Sequence, residues 1–355
     1  MRWHLYCRVV DNFGDVGVAW RLAADLASRG EVVRLAVDDP RALEWMAPGG
    51  AAGVEVCAWS DPPASVPDVV LELFGAGLPD AVEAAICEAP RAPLVVNVEH
   101  LSAEGYVVRS HGLPSPRRTE RGLPFTTWYF YPGFTEGTGG LVREPGLIER
   151  RESFDAKAWL GSIGIEARPG ERRVGLFCYE ASAVASLLEA LQGTSTLVLL
   201  AHGAATEQVG TVLGPSLALG TVRAVALPRH SQPDFDRLLW SCELNFVRGE
   251  DSLVRAIHAG APFVWQLYVQ ADGAHRVKLA AFLDLFLAGA PAELGAAVRR
   301  IFENWNDGSS GSVDEAVLAP SSLDTWATHV RRWRGELARH EDLVTRLLRF
   351  AASNR

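Results

Sequence analysis

Lysine is almost missing from the sequence: of 34 basic residues only Lys157 and Lys278 are not arginine. So strong a skew is a compositional habit of the whole chain, and arginine abundance therefore carries no functional weight. Positive charge is also in deficit. The 34 basic residues stand against 43 acidic ones, for a net charge of −9. That balance excludes broad binding of a nucleic-acid backbone, which needs a basic face. It leaves room for a local basic pocket around one diphosphate, and it suits a cationic partner. The five cysteines (7, 57, 87, 178 and 242) are scattered, with no pair spaced as a zinc knuckle or a redox motif. Free thiols in a reducing compartment are the expectation. Apolar runs long enough for a membrane are lacking, since none approaches the roughly 20 residues a spanning helix needs. Arg2, His4, Arg8 and Asp11 interrupt the first segment, so no secretion-signal core forms there. These absences point to a cytoplasmic protein with no membrane and no nucleic-acid partner.

What is present is a globular chain of 355 residues, 48% hydrophobic and 22% charged, long enough for two domains. The first forty residues read as an α/β unit. Leu5 to Val10 is strand-like, Asp11 to Gly17 a glycine-containing turn, and Val18 to Arg29 a helix with Trp20, Leu22, Ala23 and Leu26 on one side. Gly30 stops it, and Val32 to Val37 is a second strand. Strand, helix and strand in this order predict a right-handed crossover and a parallel sheet. The pattern continues through Val54–Ala58, Val69–Leu73, a helix at Asp80–Glu88 and Leu94–Asn97. From Glu99 to Gly146 periodicity fades among Gly, Pro, Ser and aromatics, a stretch of a length that is often functional. The segment IEARPGERR (165–173) has the content of a linker. Strand-like runs then restart at Val174–Tyr179, Thr196–Ala201, Val222–Leu227, Leu244–Val247 and Phe263–Gln266, with helical segments between them. Two successive α/β sets suggest two doubly wound domains, closed by one long helix across Trp326–Phe350.

Three clusters could carry chemistry. In the turn Asp11-Asn12-Phe13-Gly14-Asp15-Val16-Gly17, between strand and helix, two carboxylates four positions apart could orient or deprotonate an acceptor. The turn lacks the first glycine of a dinucleotide fingerprint and the G-K-[ST] of a P-loop. The plain reading is that Asp15 caps the helix and Asp11 holds the turn. In Asn245-Phe246-Val247-Arg248-Gly249-Glu250-Asp251-Ser252, a strand meets a helix whose first N–H groups form an anion site, and Arg248 can add a forked contact to phosphate. Glu250 and Asp251 would repel a diphosphate there, so they must point elsewhere or serve as caps. Third, Phe177 and Tyr179, with Gln232 and Phe235, offer aromatic faces and an amide for a nucleobase, or are simply core. The segment from Trp265 to Gln270, with His275, could line the same crevice; a lone histidine offers no second metal ligand.

In order along the chain, CRVVDNFGDVGVAWRLA, VNVEHLSAE, HGLPSP, FYPGFTEGTGGL, REPGL, GLFCYE, FDRLLWSCELNFVRGEDSLVRA, APFVWQLY and AHRVKLAAFL together resemble one family. It is that of the protein-arginine rhamnosyltransferases of bacterial translation elongation factor P (the EarP family). The segments run from about residue 5 to 285; each is weak alone, and the ordered set is specific. One departure is VQADGAH, with Val269 and Ala271 where the family pattern has Pro and Glu.

The resemblance implies a GT-B glycosyltransferase fold of two Rossmann-like domains facing across a cleft. It implies an acceptor-side domain at 1–168, a nucleotide-sugar domain at 169–336, and a final helix at 337–355 returning to the first. It further implies dTDP-β-L-rhamnose as donor, inversion at the anomeric carbon, an arginine nitrogen of elongation factor P as acceptor, and no metal or other cofactor. Carried over by motif, Asp15 is the general base, supported by Asp11. Asn12 and Phe13 shape the donor side of that loop, and Glu250 is the third functional acid. Arg248, Asp251 and Ser252 sit at the diphosphate, and Phe177, Tyr179, Gln232 and Phe235 frame the thymine and its sugar. Two other readings are a GT-B transferase with a small-molecule or lipid acceptor, and a non-catalytic nucleotide-binding protein.

Overall fold

The computed structural model describes residues 1–10, 13–62, 65–119, 122–307 and 312–354. They form two units, Met1–Pro145 with Leu337–Arg355, and Gly146–Glu336.

The first unit holds β1 (Arg2–Cys7), α1 (Gly14–Ser28), β2 (Val32–Val37), α2 (Leu43–Met46), β3 (Val54–Ala58), β4 (Val69–Leu73), α3 (Asp80–Glu88), β5 (Leu94–Val98), α4 (Gly105–Ser110), β6 (Leu113–Arg118) and β7 (Pro124–Phe130). Its sheet runs β3-β2-β1-β4-β5-β7-β6, parallel except for the β6–β7 pair. β4 (VVLEL) and β5 (LVVNV) are buried throughout, the near-continuous apolar texture of strands covered on both faces. Their two polar exceptions organise loops. Glu72 accepts from the Gly77 N–H at 2.9 Å and from Arg117 at 2.6 Å, and Asn97 accepts from the Gly75 N–H at 3.1 Å. Helix α1 buries Val16, Ala19, Trp20, Ala23 and Leu26, residues that recur at helical spacing, in the core beside β1 and β2.

The second unit holds α5 (Leu147–Glu152), α6 (Ala156–Ser162), β8 (Arg172–Leu176), α7 (Val184–Ala190), β9 (Thr196–Leu200), α8 (Ala204–Leu213), β10 (Ala218–Leu219), β11 (Val222–Ala226), α9 (Gln232–Trp240), β12 (Leu244–Arg248), α10 (Gly249–Ala259), β13 (Phe263–Gln266), α11 (Ala274–Phe286), α12 (Ala292–Asn306) and most of α13 (Pro320–Ala338). Its sheet runs β10-β11-β9-β8-β12-β13, again parallel but for one edge pair. An aromatic core of Phe263, Phe282, Phe286, Phe302 and Trp333 fills the space beside β13. The last helix, α14 (Leu343–Ser353), buries Leu343, Val344, Leu347 and Ala351 in the core of the first unit.

Several sequence expectations change. β1 starts and ends three residues early, and Val9 and Val10 lie past its end; Val10 is 85% exposed. Helix α1 starts at Gly14, so Asp15 stands in its first turn instead of in a loop. The segment from Glu99 to Gly146 contains α4 and the β6–β7 hairpin. Prolines at 114 and 116 disguised β6, but on an edge strand a missing N–H is tolerated. The stretch 165–173 does not divide the units. α5 and α6 precede it and belong to the second unit, where Leu160 and Ile165 enter the core and Arg151 donates to the Ala259 carbonyl at 2.9 Å. The final segment is two helices, interrupted where Asp342 caps α14.

Asp342 also ties α14 to α1. It accepts from the Thr345 N–H at 2.9 Å and from Arg29 at 2.7 Å, while Asp25 holds the same guanidinium at 2.8 Å. Losing the cap and one of the two carboxylates on Arg29 should together cost the first unit about 1–2 kcal/mol in the Asp342→Ala variant, measured by urea titration. The exposed Asp39–Arg41 pair is the control, and Asp39→Ala should leave the titration unchanged.

Candidate active site

In both sheets the strand order reverses beside the first strand of the unit. Connections run outward from β1 through β2 to β3 and then return to β4, and from β8 through β9 to β11 and then return to β12. Crevices at the carboxyl ends of such strands are where open α/β sheets bind ligands. Each unit therefore offers one site, between β1 and β4 and between β8 and β12.

The second unit's site is the more completely furnished. Phe177 and Tyr179 follow β8, and Arg248 ends β12. The Arg248 guanidinium lies 4.6 Å from the centroid of Phe177 and 4.3 Å from that of Tyr179, within cation–π range of both. Phe235, on α9, meets Phe177 edge-on at 5.3 Å. Gln232, the first residue of that helix, is 5% exposed. The loop carrying Tyr179 is pinned from both sides. Its N–H donates to Gln266 Oε1 at 2.8 Å, and its carbonyl accepts from Gln208 Nε2 at 3.1 Å.

Gly249 has φ 70°, a left-handed conformation that lets the chain turn from β12 directly into α10. Glu250, Asp251 and Ser252 thus occupy the first turn of α10, the positive end of the helix dipole, which favours an anion. The obstacle posed by Glu250 has a local answer, since its Oε1 lies 2.5 Å from Lys278 Nζ on α11. Beneath the site, Asp236 and Arg255 form a buried two-point pair at 2.8 and 2.6 Å that fastens α9 to α10. Asp234 and Asp236 flank Phe235 with the D-x-D spacing that can mark a cation site, but Arg237 holds the first at 2.8 Å and Arg255 the second.

In the first unit Asp15 is 7% exposed, and its Oδ2 accepts from the Val10 N–H at 2.8 Å. Phe13 precedes α1 and packs edge-on against Trp45 at 5.1 Å. Asp11 and Asn12 lie outside the described residues. After β4, Phe74 adopts φ 60°, which costs a non-glycine residue about 1–2 kcal/mol. Its N–H donates to the Val98 carbonyl at 2.8 Å and its ring stacks on His100 at 4.7 Å. Glu99 follows β5. Burial pushes its carboxyl group up, against the pull of His100 and of the Asn97 amide, which donates at 2.7 Å.

The structure thus gathers Phe177, Tyr179, Phe235 and Arg248 directly, with Gln232, Glu250, Asp251 and Ser252 on the same edge of the second unit, and places Asp15 and Phe13 in the first. Tyr268, within the 265–270 segment expected to line this crevice, packs edge-on against Tyr179 at 5.7 Å. Sequence reading missed two other residues at these edges. Lys278 was marked only by lysine scarcity. Phe74 left no signal, because its strain is visible only in backbone angles.

Residues 3–352 match the family described as Elongation-Factor P (EF-P) rhamnosyltransferase EarP. A protein-arginine rhamnosyltransferase of Pseudomonas aeruginosa is 41% identical over 375 residues, covering 99% of this chain and 98% of the relative. One from Shewanella oneidensis is 32% identical, covering 98% and 97%. Among solved structures, one described as the structural basis for EarP-mediated arginine glycosylation of translation elongation factor EF-P aligns with a TM-score of 0.71 at 29% identity, over 100% of this chain and 99% of the other. The spinosyn rhamnosyltransferase SpnG, complexed with spinosyn aglycone, aligns with a TM-score of 0.52 at 17% identity, over 98% and 99%, a likeness of fold alone.

Cys178 lies buried between the two aromatic residues of the loop after β8, and burial pushes its thiol up to about 12. Cys7 and Cys242 are raised further by the same cause. Thiolate is the reactive form, so iodoacetamide at mildly alkaline pH should label Cys57 and Cys87 in the folded protein and spare the other three. Peptide mass mapping checks this; native labelling of Cys178 would show that the Phe177–Tyr179 loop opens.

Proposed function

We propose, for a chain that belongs to the EarP family of elongation-factor-P rhamnosyltransferases and has the GT-B fold, that it moves L-rhamnose from dTDP-β-L-rhamnose to an arginine nitrogen of translation elongation factor P. Transfer inverts the anomeric carbon and needs no metal ion or further cofactor, and it takes place in the cytoplasm, where that factor works. The relatives' shared activity, protein-arginine rhamnosylation, leaves the small-molecule, lipid and non-catalytic alternatives without support. The observation that carries the donor assignment is Arg248, held over Phe177 and Tyr179 at the head of α10. A nucleoside diphosphate needs that combination, an aromatic surface for the base and a guanidinium with helix N–H groups for the phosphates.

In this reading Phe177, Tyr179, Gln232 and Phe235 hold the thymidine. Arg248, Asp251 and Ser252 hold the diphosphate, Asp251 and Ser252 through the first turn of α10. Because Arg248 and the helix end carry the phosphate charge, and the acids Glu250, Asp234 and Asp236 are matched by Lys278, Arg237 and Arg255, the residues supply the cation function themselves. Asp15 receives the acceptor guanidinium, Asp11 supports it, Asn12 and Phe13 shape the neighbouring loop, and Glu250 acts at the sugar.

Activation of the acceptor is the hard step. A guanidinium ionises only above about 12, whereas an ordinary carboxylate ionises near 4, so a carboxylate cannot deprotonate it in the ground state. Its task is to orient the attacking nitrogen and, by accepting from its N–H, to leave the positive charge on the other two nitrogens. The nitrogen lone pair then attacks C1 of rhamnose as the C1–oxygen bond to dTDP breaks. The nitrogen's proton passes to Asp15, and the departing diphosphate keeps the bonding pair, stabilised by Arg248 and the α10 N-terminus.

Incubating the protein with dTDP-rhamnose and elongation factor P should add one deoxyhexose to the intact mass of the factor. The gain should vanish when the acceptor arginine is replaced and persist in EDTA. Asp15→Asn keeps an oxygen for the Val10 N–H, so it should fold and bind dTDP normally while kcat falls about 10²–10⁴-fold. Near-normal turnover in that variant would remove Asp15 from the base role.

A further inference from the structure

The first turn of α10 presents an electrostatic contradiction. Two carboxylates, Glu250 and Asp251, stand in the turn whose N–H groups would meet a doubly charged ligand. The helix end offers the equivalent of only about half a positive charge. Arg248 adds one, so the turn by itself remains net negative before any ligand arrives. The balance is restored from another element. Lys278, on α11, places Nζ 2.5 Å from Glu250 Oε1, with the two side chains only 21% and 19% exposed. At that burial the pair is screened less than a surface ion pair, and each partner depends on the other. Lys278 is also one of only two lysines in the chain; the other, Lys157, is exposed on α6.

We propose that Lys278 is a positioning residue for the donor site. Its ammonium cancels the charge of Glu250 and holds that carboxylate away from the α10 N–H groups, so the turn can accept a diphosphate. The inference rests on the reading of this edge as the donor site. It goes further in predicting that donor affinity depends on a residue of α11, acting through Glu250 and not on the phosphates themselves.

The test uses the full chain, dTDP as the probe and isothermal titration calorimetry. Lys278→Met removes the cation that faces Glu250 and should weaken dTDP binding about tenfold, while Lys278→Arg, which keeps the charge, stays within about threefold of wild type. In a Glu250→Gln background the carboxylate is already neutral, so adding Lys278→Met should change affinity less than about twofold. Thermal unfolding of each variant establishes that it is folded, a property that a purely structural role would alter without producing this coupling. Wild-type affinity in Lys278→Met overturns the proposal, as does an equal loss in both backgrounds, which would mean that Lys278 touches the phosphates directly. Failure of the wild-type protein itself to bind dTDP would instead overturn the donor assignment on which the proposal stands.

Discussion

A parallel sheet whose connections reverse direction leaves one place at its carboxyl edge that no crossover helix covers. In this chain the constraint acts twice, beside β1 and beside β8, and the chemistry collects at both places. In the first unit the loop after β1 leads to Asp15 and the loop after β4 carries the strained Phe74. In the second, the segment after β8 carries Phe177 and Tyr179, and β12 ends on Arg248. None of these residues forms the core of its sheet. They stand where strand regularity ends, and two of them lie at helix starts, Asp15 in the first turn of α1 and Arg248 at the N-cap of α10.

The second site owes its shape to ion pairs that brace its helices. Removing Asp236 and Arg255 from water is costly, and such a pair is weak grounds for stability as such. What it supplies is register, because its two-point geometry fixes α9 against α10. Phe235 and Gln232 arrive on one of those helices and Ser252 on the other. At the far end of α10, Arg151 and Arg334 donate to the Ala259 and His258 carbonyls, satisfying the helix end opposite the anion site. Burial pushes both guanidinium groups below their ordinary range, with Arg334 adding to the effect on Arg151 and Arg331 to that on Arg334. One helix is thus prepared at both ends, a cationic cap at one and an anion seat at the other.

How much of this the sequence discloses depends on how local the cause is. The strand cores, helix α1, the left-handed Gly249 turn and the clustering of acids at strand ends follow from neighbours within a few residues, and they are legible. The end of β1 is not. Val9 and Val10 read as strand, but their N–H groups are taken by the side chains of Asp38 and Asp15, at 2.9 and 2.8 Å. Nor is β6, because prolines signal a break unless the strand is known to be an edge. The Lys278–Glu250 pair joins residues 28 apart through two helices and a strand, a relation no periodicity encodes. The stretch 165–173 misled for the opposite reason. Its Pro, Gly and charges are turn chemistry, yet Glu171 is pinned by Arg223 at 2.7 and 2.6 Å inside the second unit.

The proposed transfer of a sugar from a diphosphate to a guanidinium asks one chain for two opposite fields, and a net charge of −9 supplies neither in itself. At the proposed donor edge each of Glu250, Asp234 and Asp236 meets a cationic side chain, which offsets its charge beside Arg248. At Asp15 one orienting contact is a backbone N–H, a dipole that fixes the direction of a carboxylate without removing its charge. A fixed, charged carboxylate draws a guanidinium and polarises it toward one nitrogen; a neutralised one beside a diphosphate stops repelling it. In the proposed reaction the same residue type therefore serves opposite ends, matched to the protein's own cations at one and to the acceptor's cation at the other.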